Sequence, residues 1–500
     1  MPVELPAALH RAPALAAAAL DRAARAGAEH ADVRFSHHGR LELVVRDGRP
    51  AGSEDGAEAG FGVRVVLDGT VGFAAGVGSS PGQAARVAQR ACEVARTLRR
   101  LRGDPVELAG EPVHRDARWT SSYRTDPLEV PGEVRVGLLQ EWSRPLLAAG
   151  VDHVIARLVA VREDTYYADT AGTTVTQRKI WVHPMVTAVR VDRTGGGVAA
   201  MRTLGPPAAR GWEYLTGSGW DWRTELAAMP ELLAEKAAAP AVTPGDYDLV
   251  IDPTNLWLTI HESIGHATEL DRMLGYEAAY AGSSFVTPDQ LGRLRYGPTI
   301  MNVTADRTTE HGLATVGYDD EGVAAQSWDL IRDGLLVGCQ VDRRTARFAG
   351  LERSNGCAYA DSFARLPVQR MANVSLLPAP GGPDVTELVG EVSDGIYVVG
   401  DGSFSIDMER YNFQFTGQRF YRIRHGRLAG QLGKVAYQGS TPTFWRSLAA
   451  VGGPRTYLLS GASLCGKAQP GQLAAASHGC PAALFRRVRV LNTTSERGPG

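Results

Sequence analysis

The stretch Ala239-Pro240-Ala241-Val242-Thr243-Pro244-Gly245 is stiff and of low complexity, the composition of a connector rather than of an element. Directly after it, Tyr247–Ile251 reads as a short buried strand, and Asp252-Pro253 as the cap and first residue of a helix. That helix continues through Leu258-Thr259-Ile260-His261-Glu262-Ser263-Ile264-Gly265-His266-Ala267-Thr268-Glu269-Leu270-Asp271. A chain of 500 residues exceeds what one hydrophobic core ordinarily serves. The connector therefore predicts two domains, residues 1–238 and 246–500, joined by a linker over 239–245.

Upstream, helix and strand signals alternate. Pro13–Ala26 is helix material ended by Gly27, and Pro81–Arg99 opens with Ser80 as N-cap. Ala31–Ser36, Leu41–Arg46 and Gly62–Leu67 cluster β-branched residues, with Asp47-Gly48 and Asp68-Gly69 as tight turns. Residues 105–131 read as a long connection, followed by a helix over 132–149 with a break near Pro145. Strands near 153–161, 165–169 and 173–191 and a helix over 222–238 complete this half. Beyond Thr299 strands dominate, and Asp333-Gly334, Asp394-Gly395, Asp401-Gly402 and His425-Gly426 read as turns. The fold class expected is α+β. Its N-terminal α/β domain has a largely antiparallel sheet, and its C-terminal β-rich, barrel-like domain carries the helix with the two histidines.

Composition narrows the function classes. Hydrophobic residues at 44% and charged residues at 22% exclude a disordered or collagen-like chain. A net charge of −2 favours neither nucleic acid nor an anionic membrane surface as partner. Five cysteines, an odd number spread thinly, argue against a disulfide framework and for a reducing, cytoplasmic location. The apolar run Ala14–Leu20 is short for a signal core, and no stretch approaches the roughly 20 apolar residues of a membrane span. The run Gly195-Gly196-Gly197 lacks the strand–helix context of a phosphate loop, so nucleotide binding is not expected.

Chemistry concentrates at His261-Glu262-x-x-x-His266. Neutral imidazoles hold a metal, and an adjacent carboxylate serves as general base toward the water that the metal activates. The familiar zinc-peptidase spacing places the histidines at i and i+4, and this chain has one residue more. At roughly 100° per residue, positions five apart on a straight helix diverge by about 140°. Either the helix simply carries two ordinary histidines, or it is locally unwound so that both rings converge, with Gly265 as the residue that eases an irregular backbone. A third ligand is needed. Glu269, one turn beyond His266, is a candidate ligand or supporting group. Cys465, in Ser460-Gly461-Ala462-Ser463-Leu464-Cys465-Gly466-Lys467, is the sharper candidate, because the Lys467 ammonium nearby favours a thiolate. Cys480 and His478, in Ser477-His478-Gly479-Cys480-Pro481, are further donors in the same region.

Taken in order, His261-Glu262-x-x-x-His266, Asp319-Asp320-Glu321-Gly322, Arg370-Met371-x-Asn373 and Cys465-Gly466-Lys467 resemble the TldD/PmbA metallopeptidases. Gly60-Phe61-Gly62-Val63-Arg64, Asp68-Gly69 and Gly72-Phe73-Ala74 extend the resemblance over nearly the whole chain. It implies Zn2+ held by His261, His266 and Cys465, with Glu262 as general base, in a peptidase acting on short or unfolded peptides. It also implies a dimer, either with a paralogue lacking the histidine motif or with a second copy.

Other features carry structural readings. Asp319-Asp320-Glu321 before Gly322 suggests a solvated turn. Arg370 and Asn373 read as structural partners, and Cys92, Cys339 and Cys357 as buried, inert thiols. A non-catalytic modulator that keeps the fold is the competing reading, and the intact His261, Glu262, His266 and Cys465 argue against it.

Overall fold

The computed structural model describes residues 9–101, 103–191 and 197–494. The first eight residues of the expected N-terminal domain, and Gly195 and Gly196 of the glycine run, lie outside them. With 23% helix and 40% strand, the chain is α+β.

The N-terminal sheet comprises β1 (His30–Arg46), β2 (Arg49–Leu67), β3 (Thr70–Gly76), β4 (Ala117–Thr120), β5 (His153–Asp169), β6 (Thr174–Val191) and β7 (Val198–Arg202). The order is β3-β2-β1-β5-β6-β4, with β7 also on β6, and only the β4–β6 pair is parallel. β4 lies inside the segment expected to be a plain connection. Asp47-Gly48 and Asp68-Gly69 form the tight hairpins expected, all four residues having positive φ. The runs 31–36 and 41–46 are one strand: the polar residues between them are hydrogen-bonded to β2 on one side and β5 on the other.

Helices α1 (Ala12–Arg25), α2 (Pro81–Leu98), α3 (Gly132–Ala148) and α4 (Trp222–Ala238) cover one face of this sheet. Alternate residues Val33 and Phe35 pack under α1 and α2, and Leu41, Leu43 and Val45 under α3 and α4. α3 runs unbroken through Pro145, because Trp142 and Leu146 are both buried in that cluster and hold the turn on either side of it. The opposite face, with Val159, Val161 and Trp181, packs on Leu313 of the C-terminal half.

In the C-terminal half, β8 (Gly245–Ile251) leads into α5 (Pro253–Ile260), with the Asp252 carboxylate accepting the Thr254 N–H at 3.0 Å. Beyond them come β9 (Asp394–Ile406), β10 (Asn412–Arg424), β11 (Val435–Ser440), β12 (Leu458–Lys467), β13 (Gln472–Cys480) and β14 (Ala483–Asn492). The cycle β8-β9-β10-β11-β14-β8 closes a five-stranded barrel. It is not wholly antiparallel, since β8 and β9 run parallel. β12 and β13 form a separate two-stranded hairpin.

Two expected turns are corrected. Asp394-Gly395 and Asp401-Gly402 lie within β9, whereas Asp333-Gly334 and His425-Gly426 are true tight turns with positive φ. The β9 glycines answer close backbone approach instead. A Cβ on Gly395 would lie 2.3 Å from the Asp248 carbonyl oxygen, and one on Gly402 would lie 2.3 Å from Thr416 Oγ1.

The acidic run is also corrected. Asp319, Asp320 and Glu321 are buried where the two halves meet. Arg34 of β1 donates to Asp320 at 2.6 Å, Arg64 of β2 pairs with Glu321, and Asp319 accepts the N–H groups of Glu321, Val323 and Ala358. Gly322 does take the turn conformation, but the N-terminal sheet supplies arginines that exclude water from it. All five cysteines are buried free thiols. No helix among the described residues is long and apolar enough to cross a membrane.

Candidate metal centre

The extra residue between the histidines is absorbed by the backbone. α5 ends at Ile260, His261–Gly265 forms a π turn, and His266–Thr268 a 3-10 turn. The His266 N–H reaches back to the His261 carbonyl, five residues earlier. Such a turn strands carbonyls from the regular ladder, and side chains satisfy them. Tyr296 donates its hydroxyl to the Ser263 carbonyl, Thr268 Oγ1 to Ile264 at 2.8 Å, and Gln340 Nε2 to Gly265 at 2.8 Å. Trp445 Nε1 donates to Ser263 Oγ at 2.9 Å. A Cβ on Gly265 would meet Met371 Sδ at 2.8 Å, so glycine also permits this close packing. The two imidazole centroids are thereby brought to 4.8 Å.

Hydrogen bonds fix which nitrogen of each ring carries the proton. His478 Nδ1 donates to the Val374 carbonyl at 2.9 Å, so its Nε2 accepts the Nδ1–H of His261 at 2.7 Å. His266 Nδ1 donates to Glu269 Oε2 at 2.8 Å. Both rings therefore present an Nε2 lone pair to the same point. The third member is Cys465, whose Sγ lies 3.4 Å from His266 Nε2. One ligand atom each from His261, His266 and Cys465 lies within 4.8 Å of the others.

The electrostatics match ligand chemistry. Burial holds both imidazoles below their ordinary protonation range, keeping the lone pairs free. Burial pushes the Cys465 thiol up, but the His266 ring and the Arg370 guanidinium outweigh it, so the thiol lies below its ordinary value. Arg370 Nη2 also donates to the Cys465 carbonyl at 2.6 Å, a structural role as expected. The expected action of Lys467 on the thiol is corrected: its Nζ is bound by Glu269 Oε1 at 3.1 Å, Asp271 Oδ1 at 2.8 Å and the Gln369 carbonyl at 2.9 Å. Burial raises Glu269, and Lys467 overcomes it, leaving a carboxylate well below its ordinary range behind His266. Lys467 thus reaches the site through Glu269, because the carboxylates of Glu269 and Asp271 bind its ammonium.

Glu262 faces the same cleft, with Oε2 accepting Arg410 Nη1 at 2.9 Å. The cleft has a volume of about 470 Å³ and lies between the halves of the chain, walled by His183, Arg202 and Pro206 on one side and Phe404 and Leu464 on the other. Arg202 of β7 is paired with Asp401 of β9 across it.

Of the residues singled out from sequence, His261, Glu262, His266 and Cys465 converge on this cleft. Glu269 and His478 stand behind the two imidazoles. Cys480 does not join them: its buried Sγ lies on the Pro253 carbonyl at 3.7 Å, and burial pushes the thiol well up. Asn373 is structural, bonding Asp306, Ala314, Thr315 and Ser477. Sequence reasoning missed Arg410, since nothing in Asp407-Met408-Glu409-Arg410 marks a hairpin tip that reaches a helix 148 positions earlier.

Comparison with known proteins places the chain in a family. Residues 244–492 match the PmbA/TldA metallopeptidase C-terminal domain, and residues 31–95 match PmbA/TldA metallopeptidase domain 1. A metalloprotease of Methanothermobacter thermautotrophicus is 27% identical over 475 residues, covering 93% of this chain and 96% of its own. A zinc metalloprotease TldD homologue of Saccharolobus solfataricus is 26% identical over 225 residues, 44% of this chain and 47% of its own. The crystal structure of TldE from Thermococcus kodakarensis shares the fold, with a TM-score of 0.68 at 15% identity, covering 94% of this chain and 98% of that one. A π turn that converges two histidines, matched domains at both ends and relatives of full length lead to one conclusion: the chain belongs to the PmbA/TldD family of metallopeptidases.

Proposed function

We propose that this chain is a zinc-dependent peptidase of short or unfolded peptides, with His261, His266 and Cys465 as metal ligands and Glu262 as general base. The observation that carries the reading is the convergence of two imidazole lone pairs and a buried thiol within 4.8 Å, beside a carboxylate in a cleft. Two neutral imidazoles and a low-lying thiol are a donor set suited to zinc. Bound there, zinc supplies Lewis-acid polarisation of the scissile carbonyl and of the attacking water. Glu262 takes the proton of that water and passes it to the leaving amine. His478 and Glu269 keep the Nε2 lone pairs of His261 and His266 directed inward. A run of β12, Ser460 to Gly466, lines the cleft. Among the described residues β12 pairs only with β13, so its other edge offers backbone groups to an extended peptide.

Domains over 1–238 and 246–500, a cytoplasmic setting and a dimer complete the proposal. The partner is a paralogue without the histidine motif or a second copy of this chain, and pairing encloses the cleft so that only extended chains enter. The Glu262→Gln variant tests the core of it. Zinc should remain near one equivalent while hydrolysis of an unfolded peptide is lost, because the amide accepts no proton. Wild-type hydrolysis by that variant would remove Glu262 from the mechanism, and a wild-type protein that retains no zinc after dialysis would remove the metal.

A further inference from the structure

Arg410 sits in a backbone conformation that its side chain does not favour. Its φ is +62°, in the left-handed region where a Cβ meets the following carbonyl and glycine is the residue of choice. The tip between β9 and β10 is held firmly in that shape. Asp407 accepts the N–H groups of Tyr411 at 2.8 Å and Asn412 at 2.9 Å, and the Arg410 N–H reaches the Asp407 carbonyl at 3.1 Å. The Met408 and Glu409 carbonyls accept the N–H groups of Ser283 and Phe285, each at 2.8 Å, and Thr441 Oγ1 donates to the Arg410 carbonyl at 2.7 Å. The turn therefore asks for glycine, and an arginine stands there.

Among the described residues nine other non-glycines have a positive φ, and Arg410 is set apart by where its guanidinium reaches. Nη2 donates to the Ala281 carbonyl at 3.0 Å and Nη1 to Glu262 Oε2 at 2.9 Å, while the Nε donor is buried without a partner. Both members of the ion pair are largely withdrawn from water, with side-chain exposures of 13% and 6%, and both line the cleft. A strained residue that spans to a reactive group points to a task performed by its side chain. Resting on the peptidase reading, we propose that Arg410 is a positioning residue for Glu262. It ties Oε2 in place and leaves Oε1 as the oxygen that meets the attacking water. A carboxylate on a flexible side chain loses this aim without the clamp, and misplacement by an ångström costs on the order of 10²-fold in rate.

The Arg410→Gly variant separates this role from a structural one, because glycine suits the turn. Its melting temperature, measured on the metal-free protein, should stay within a few degrees of the wild type, since glycine relieves the positive φ of the turn while Glu262 loses its partner at a cleft that water enters. Its zinc affinity, measured by chelator competition, should stay within a few-fold, and its kcat on an unfolded peptide should fall on the order of 10²-fold with KM little changed. Added guanidinium ion should restore part of that kcat in a saturable manner, without effect on Glu262→Gln. Wild-type kcat in the Gly variant, or a fall in melting temperature together with loss of zinc, would overturn the proposal while leaving the peptidase reading standing. A zinc-loaded wild type that cleaves no unfolded peptide would overturn both.

Discussion

His261 and His266 are backed by unlike partners, and that difference governs how each responds to substitution. His266 leans on Glu269, an ionised carboxylate held by Lys467 and Arg272. His261 leans on His478, a fully buried neutral imidazole that ends on the Val374 carbonyl. Replacing His478 with Phe keeps the bulk but leaves the His261 Nδ1–H without an acceptor. Zinc affinity by chelator competition should fall roughly 10- to 100-fold, with no change in the rest of the fold by circular dichroism. An unchanged affinity would mean that His261 needs no support. The two thiols of this region give a sharper contrast. Cys465→Ala should lose most zinc at a chelator concentration that the wild type withstands. Cys480→Ala should retain it, since that sulfur rests on Pro253 rather than on the imidazoles. The reverse ranking would move the site to the wrong end of β13.

At the scale of the element, the π turn over His261–Gly265 depends on groups outside it. Tyr296 and Gln340 satisfy the Ser263 and Gly265 carbonyls. Tyr296→Phe removes one of these donors and leaves a buried carbonyl unpaired, so folding stability should drop by about 1–3 kcal/mol. Because the lost bond lies inside the turn that orients both rings, zinc affinity should fall with it. Urea unfolding and chelator titration on the same preparation check the pair of effects. A stability loss with zinc binding intact would show that the turn keeps its shape without Tyr296.

Across the whole molecule, the two halves meet through buried ion pairs rather than through apolar surface alone. Arg34 holds Asp320 and Arg64 holds Glu321, all four side chains being largely shielded from water. Removing either arginine strands a carboxylate in a region of low dielectric, and the expected cost is about 3–5 kcal/mol. Arg64→Ala should therefore lower the urea midpoint of the whole chain and bring its unfolding into two steps if the halves part first. A loss below about 1 kcal/mol, the value of an exposed pair, would mean that water reaches Glu321 freely. Since the cleft is walled by both halves, peptide hydrolysis should fall in this variant even at temperatures where it remains folded.

Local chemistry reached a good part of this protein directly from sequence. Asp47-Gly48 and Asp68-Gly69 specify their hairpins because a Gly that follows an Asp accepts positive φ. Ser80 before Pro81 specifies a capped helix start. The spacing from His261 to His266 demands an irregular turn if one ion is to meet both rings, and Gly265 marks where it occurs. These are properties of a few neighbouring residues. Partners distant in the chain were decided only by the tertiary structure. Asp319-Asp320-Glu321 has the local signature of a solvated turn, and only the approach of Arg34 and Arg64, 286 and 257 positions before their partners, makes it a buried seam. Lys467 is two positions from Cys465, yet its ammonium answers to Glu269 and Asp271. Gly395 and Gly402 resemble turn residues in sequence, and close packing against Asp248 and Thr416 places them in a strand. Arg410 reaches Glu262 only because a hairpin tip folds back over the site helix. Charge and hydrogen bonding act over a few ångströms, and which groups come that close is set by the packing of whole sheets.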